Sequence, residues 1–244
     1  VQSGLYVSLS GQVALDRRLT AIATNVANMN TVGYRATEIS FHTVLSKTGE
    51  QPVAFASSGD ATISRHSGGM DKTDNPLDVA VSGDAFLAVR TPAGTVYTRD
   101  GRMAIQADGS LQTLDGYPVL DAGNTPILLS ADAGAPTISK DGMISQAGRQ
   151  IGAIGLFRLD PKAKLTRYDN SGLISDLPAT PVLDFDSNGV VQGFVENSNV
   201  NPVLEMAKLM TISRTFENSN SATQSSENSM KDALKTLGAT SSSA

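Results

Sequence analysis

The residues best suited to chemistry in this chain are carboxylates beside glycines and two isolated histidines, and their spacing limits what they can do. Asp184, Asp186, Asn188 and Gly189 spell D-x-D-x-N-G, the first half of a helix-flanked calcium loop. Such a loop needs a bidentate Glu at its twelfth position. Here that position is Val195, and the flanking runs VLDF and VVQGFV are strand-like, so a hairpin turn is expected instead. His42 and His66 are not at metal-ligand spacing and lie in polar sequence. Asp100, Asp108, Asp115 and Asp141 each precede Gly, where an Asp side chain serves the turn itself. Glycoside hydrolysis would need two carboxylates facing each other across a cleft, a pairing that only the fold can create. There is no G-x-S-x-G, no phosphate-binding glycine loop and no cysteine for a thiolate, a disulfide or a soft metal site. The chain is expected to be non-enzymatic, with no cofactor and no metal.

Composition narrows the partners. The 244 residues carry a net charge of -5 and no basic cluster longer than Arg17-Arg18, so no nucleic-acid partner is expected. The chain is 40% apolar but only 5% aromatic, without Trp, so its core must be built from Val, Ile, Leu and Ala. No apolar run approaches the ~18 residues of a membrane span, and the chain is expected not to span one. The opening VQSGLYVSLSGQVALDRR has neither a basic start nor a long apolar stretch, so no cleaved signal peptide is expected.

The elements that must position these residues differ between the ends and the middle. Leu5, Ser8, Gln12, Leu15, Leu19, Ile22, Val26 and Met29 recur at spacings of three and four, the seam of an amphipathic helix ending near Asn28–Gly33. Asn201 followed by Pro202 marks a second helix start. From there Met206, Leu209, Ser213, Phe216, Asn220, Thr223, Glu227, Met230, Leu234 and Leu237 keep the same spacing, and Gly238 is expected to end the helix. The polar stretch from Ser213 to Glu227 weakens this seam. These end helices are expected to need each other, or neighbouring chains, for stability. Periodicity alone is equally compatible with a helical hairpin packed on the rest of the chain.

The middle reads as antiparallel β-structure. Runs at 86–90, 95–99, 102–106, 110–114, 117–120, 151–159 and 182–195 are separated by turn pairs such as Asp100-Gly101, Asp108-Gly109 and Asp115-Gly116. Residues 46–68, with Pro, Ser, Gly and Thr, read as a linker or extended arm. The expected fold is a mainly β central domain, an antiparallel meander or barrel-like, inserted between N- and C-terminal α-helices that form a coiled-coil-like layer.

Four segments resemble those of the flagellar basal-body rod protein family, in that family's order. NVANMNTVGYR (25–35) resembles its N-terminal signature, carried by Asn25, Asn28, Asn30, Thr31, Gly33 and Tyr34. TDNPLDVAVSGDAFLAV (73–89) resembles a second stretch through Asn75, Leu77 and Asp78. YTRDGRMAIQADGSL (97–111), with GYPVL (116–120), resembles a third through Tyr97, Arg99, Asp100 and Gly101. GVVQGFVENSNVNPVLEMAKLMTISRTFE (189–217) resembles the C-terminal segment through Glu196, Ser198, Asn199, Val200 and Asn201. Asp74, Met103 and Val195 depart from the pattern. These departures and the opening LYVSLSGQVALDRRL favour the proximal-rod type over the distal.

The resemblance implies an axial helix segment at 1–35, a linker or arm at 36–69, a β-rich domain at 70–196, and an axial helix with a disordered tail at 197–244. It implies a structural subunit of the periplasm-spanning basal-body rod, exported uncleaved by the flagellar type III apparatus. Its partners would be other rod proteins and copies of itself. The assembly seam would be Leu5, Leu15, Leu19, Ile22 and Val26 with Met206, Leu209, Phe216, Met230, Leu234 and Leu237. The alternatives are a distal-rod or hook-like axial protein and, from another class, a secreted β-rich module binding carbohydrate or peptidoglycan.

Overall fold

Asp-Gly pairs and alternating apolar residues dictate most of what the middle of this chain does. The computed structural model describes residues 2–46, 53–57 and 59–240. It divides into two units: residues 27–36 with 62–201, and the two terminal segments with residues 37–61 between them.

The first unit is antiparallel β-structure. Its largest sheet has six strands in the order Leu165–Tyr168, Gly172–Ser175, Gly94–Thr98, Ala85–Thr91, Leu156–Arg158 and Thr180–Pro181. Ala85–Thr91 is central and buried on both faces. Successive side chains in a strand point to opposite sides. Ala85, Leu87 and Val89 therefore enter the main aliphatic core with Val79, Leu111, Ile144 and Leu156, while Phe86 and Ala88 face two smaller clusters containing Leu173, Phe157 and Leu120. Smaller ribbons complete the unit. Val79–Ser82 pairs with Gly189–Gln192, Met70–Lys72 with Phe194–Glu196, and Met103–Ile105 with Leu111–Thr113. Thr137–Ile138, Met143–Gln146 and Arg149–Ala153 form a three-stranded sheet. The sheets remain separate and do not close into a barrel, so the barrel-like alternative gives way to a set of open antiparallel sheets.

Turn aspartates act locally. The carboxylates of Asp108, Asp121 and Asp141 accept from the backbone N–H two residues on, at 2.9, 2.8 and 3.1 Å. Gly101 has a different task. A Cβ there would lie 1.8 Å from the Val79 carbonyl, whose own N–H donates to the Gly101 carbonyl at 3.0 Å. Only a glycine lets the two backbones approach this closely.

The second unit holds helix α1 (Gln2–Ala27, its last residue assigned to the first unit), helix α2 (Pro202–Thr240) and an arm. Ser8 Oγ lies 2.6 Å from Thr223 Oγ1, and Asn25 donates to Glu205 Oε2 at 3.2 Å. A step from Ser8 up to Asn25 thus corresponds to a step from Thr223 down to Glu205, so the helices run antiparallel. In the arm, Thr43–Ser46 pairs with Val53–Ala56, and Ala56 N–H donates to Ser10 Oγ of α1 at 3.2 Å. The described residues of the arm are therefore largely strand. Helix α2 continues through Gly238 to Thr240, past the point where that glycine was expected to end it. The expected disordered tail, residues 241–244, lies outside the described residues.

Replacing Gly101 by Ala is expected to cost about 2–4 kcal/mol, because backbone atoms of two strands must separate to admit the methyl group. Urea denaturation followed by circular dichroism measures it; a loss below about 0.5 kcal/mol, the range of neutral surface changes, would contradict the close approach.

Candidate functional site

The largest concentration of buried charge lies in the β unit. Glu196 is completely buried, and so are Arg35 and Arg99 to within 1%. Arg99 Nη1 donates to Glu196 Oε2 at 2.8 Å, and Arg35 Nη2 sits 2.7 Å from Glu196 Oε1. Gly68 N–H donates to Oε1 at 3.0 Å. Arg99 also caps the carbonyls of Val81 and Gly83 and stacks 4.8 Å from the centre of the Phe86 ring. Arg35 is less well provided: among the described residues its Nε and Nη1 find no partner and its Nη2 meets Glu196 as an ion pair without hydrogen-bond geometry, while Arg99 leaves Nε unpaired. One carboxylate therefore serves two guanidinium groups. Burial lowers the Arg35 pKa to about 10, opposed by Glu196 and reinforced by Arg99, and burial lowers that of Arg99 too.

Three sequence segments meet at this carboxylate: the turn after α1, the Y-T-R-D-G run and the strand before α2. The backbone tightens the junction. Gly33 has φ +69°, and a Cβ there would meet Asp100 N at 2.3 Å. Its N–H donates to the Glu196 carbonyl at 2.7 Å. Tyr34 is fully buried beneath the Arg167 guanidinium, 4.2 Å from its ring centre. Asn199 acts as a clasp, accepting from Ala36 N at 2.7 Å and donating to Ser64 Oγ and the His66 carbonyl. Its own N–H donates to the Tyr34 carbonyl.

The other motif residues hold neighbouring turns. Asn28 accepts from Thr31 Oγ1, while Asn30 is exposed in the same turn. Asn75 donates to Asp78 and accepts from Leu77 N, and the Asp78 carbonyl accepts from Gly193 N. Asp100 forms a two-bond pair with Arg102 at 2.9 and 2.6 Å. Tyr97 packs 5.8 Å from Phe157. Ser198 accepts from the N–H of the buried Val200, and the exposed Asn201 directly precedes α2.

A second cluster lies in the helical unit. The buried Asn25 side chain mimics a strand neighbour, accepting from Thr37 N at 2.9 Å and donating to Thr37 O at 3.0 Å. Its amide also donates to Glu205, which pairs with Lys208 at 2.6 Å.

On the seam, Ile22 is buried, whereas Leu15, Leu19, Val26, Leu209 and Phe216 are half-buried. Met206 and Met230 are exposed at 43% and 37%. The side chains of Leu5, Leu234 and Leu237 lie outside the described residues. The covered row on α2 reads Glu205, Leu209, Ile212, Phe216, Ser219 and Thr223. This row has the same three-four spacing as the expected seam and shares three of its positions, with the others shifted by one residue.

The sequence missed the pairing of Arg35 with Glu196 and the inward turn of Glu205. The only signal for the first was the basic residue closing the 25–35 motif. Among the described residues no group of acids and histidines could hold a metal ion. The D-x-D-x-N-G loop spends Asn188 Oδ1 on Asp84 N–H at 3.0 Å. His42 pairs loosely with Asp60 at 3.7 Å on the surface. No helix among the described residues is long and apolar enough to cross a membrane.

Comparison with known proteins gives this geometry its setting. Residues 5–35 match the family described as flagella basal body rod protein, 80–146 the flagellar hook protein FlgE/F/G D1 domain, and 191–236 the flagellar basal body rod FlgEFG protein C-terminal region. The flagellar basal-body rod protein FlgF of Mesorhizobium japonicum is 48% identical over 238 residues, covering 98% of this chain and 99% of the relative. FlgF of Rhizobium meliloti is 44% identical over the same coverage. The rod protein FlgG of Bacillus subtilis is 31% identical, covering 91% of this chain and 95% of the relative.

The two arginines are expected to respond unequally to substitution. Glu196→Gln strands two buried cations and should cost about 3–5 kcal/mol. Arg35→Met removes the surplus charge and its unpaired N–H groups while leaving the Arg99–Glu196 pair, and should cost less than about 1.5 kcal/mol. Urea titration of both variants checks the order; equal losses would refute it.

Proposed function

Because this chain belongs to the flagellar basal-body rod protein family, we propose that it is a structural subunit of the bacterial basal-body rod, of the proximal type. The subunit works by packing, not by turnover. The observation that carries this reading is the apolar surface left uncovered on the helical unit. On α1, Tyr6, Leu9 and Val13 are 59%, 53% and 46% exposed at spacings of three and four. On α2, Val203, Met206 and Met210 are 78%, 43% and 63% exposed at the same spacings. Two apolar rows left half-open on paired helices, the α1 row lining a cleft with Phe55 and Ala56 of the arm, are what a subunit presents when neighbouring helices complete its burial.

Identity supports the proximal assignment, since the FlgF relatives reach 48% and the FlgG relative 31%. In the assembled rod the terminal helices form a coiled-coil-like inner layer. Seam residues Leu5, Leu15, Leu19, Ile22, Val26, Met206, Leu209, Phe216, Met230, Leu234 and Leu237 are divided between the pairing within one subunit and contacts to its neighbours. Contacts that do not close into a ring generate a helical tube. The flagellar type III apparatus exports the chain, and the end segments reach full order on assembly.

Met210→Asp tests the reading without disturbing the subunit. At an exposed position the change should alter stability by no more than about 0.5 kcal/mol, yet place a charge in the intersubunit layer. Swimming should be lost, with basal bodies arrested before the distal rod in electron micrographs. Normal swimming with this substitution and with Leu9→Asp would refute the assignment of these faces. In limited proteolysis of the purified monomer, the 70–196 region should survive while both helical ends are cut; uniform resistance would count against ends that complete their order on assembly.

A further inference from the structure

One cavity of the β unit opens beside the main core, between Val89 and Val96 on one side and two tyrosines on the other. It encloses about 400 Å³ and is floored by the strands Gly94–Thr98 and Gly172–Ser175, within the range of about 300–1,000 Å³ typical of small-molecule sites. Two tyrosines form its aromatic wall. The rings of Tyr117 and Tyr168 stand edge to face with centroids 6.1 Å apart, their hydroxyls 3.4 Å apart. Tyr117 also donates to Asp169 Oδ2 at 3.3 Å, which fixes the ring against the cavity mouth.

Three groups of the polar lining, all open to solvent, keep hydrogen-bonding capacity that no protein group uses among the described residues. Asp115 follows the Asp-Gly pattern of the other turns, yet unlike Asp108 or Asp141 its carboxylate accepts nothing from its own turn among the described residues. Arg102, which also lies in the field of Asp115, commits Nε and Nη2 to Asp100, and its Nη1 has no hydrogen-bond partner among the described residues. The Asn170 side-chain amide, with one donor group and one acceptor, is likewise unengaged among the described residues.

We propose that this cavity binds a neutral saccharide. A ligand carrying only positive charge would satisfy Asp115 but leave the Arg102 and Asn170 donors facing it. An acidic ligand would be repelled by Asp115 and Asp169. Vicinal hydroxyls donate and accept from adjacent atoms, and so can satisfy Asp115, Arg102 and Asn170 together. The apolar C–H face of a pyranose ring fits the tyrosine wall, an arrangement that combines apolar burial with a few placed polar groups. The site is independent of the helix faces on which the rod reading rests.

Calorimetric titration of the full chain with cellotetraose, maltotetraose and chitotetraose, each into the millimolar range, tests the proposal. Saturable binding of at least one is expected. Asp115→Ala, an exposed position, should keep the urea midpoint and weaken that binding by about tenfold or more, the scale of hydrogen bonds to a charged group. Tyr168→Ala should weaken it comparably. No saturable heat with any of the three sugars, unchanged binding in both variants, or saturation by arginine amide in place of the sugars would each overturn the assignment.

Discussion

A single buried carboxylate, Glu196, organises the β unit. Removing an ion from water costs several kcal/mol even after relaxation, so a charge in this position must be met by donors of good geometry. Glu196 has two guanidinium groups and one backbone N–H around it, drawn from chain positions 35, 99 and 68. The turn after α1, the Y-T-R-D-G hairpin and the strand leading to α2 cannot shift relative to one another without stranding a charge. Apolar side chains of similar volume could fill the space, but they would tolerate a sliding register. The surplus guanidinium is consistent with a node that serves specificity more than stability.

Asparagines extend the same principle to the backbone. The Asn25 amide completes the hydrogen bonding of Thr37, and Asn199 does the same for Ala36 and the His66 carbonyl. A carboxamide offers a donor and an acceptor in the spacing of a peptide group, without the desolvation cost of a charge. This accounts for Asn, and not Asp, at positions 25 and 199. Asn199 closes the strand before α2 onto segments far away in sequence, at Ala36 and at Ser64 to His66.

Local chemistry was legible and distant pairing was not. Strands at 86–90 and 95–99 followed from alternation and turn residues, and both helices from their three-four spacing with an Asn-Pro start. The hairpin of Leu165–Tyr168 and Gly172–Ser175 carried no such signal, because its turn places Asp169 at φ +48° with no Asp-Gly pair beside a clear apolar alternation. The Glu196–Arg99 contact spans 97 residues, and no spacing rule reaches that far. On α2 the row covered within the single chain keeps the three-four period but lies partly one residue away from the apolar one. Glu205 and Met206 are adjacent, apolarity favoured the methionine, and Asn25 with Lys208 turned the glutamate inward. A row in which a buried acid replaces an apolar residue cannot be phased from hydropathy alone.

That phase bears on how the helices can work together. The face joining α1 to α2 mixes Ile22, Ile212 and Phe216 with Ser8, Gln12, Ser219 and Thr223, and its contact near Thr223 is made by hydroxyls and an amide. The rows of larger apolar residues, Tyr6, Leu9 and Val13 on one helix and Val203, Met206 and Met210 on the other, lie elsewhere. These rows remain 43–78% exposed in the single chain, the α1 row lining a cleft with the arm. Polar contacts within the pair set alignment at little cost in stability, as polar seam positions do in helix pairs generally. Under the proposed role, an isolated subunit would hold its helices loosely enough to be exported, and the helices would tighten only when neighbours bury the outward rows.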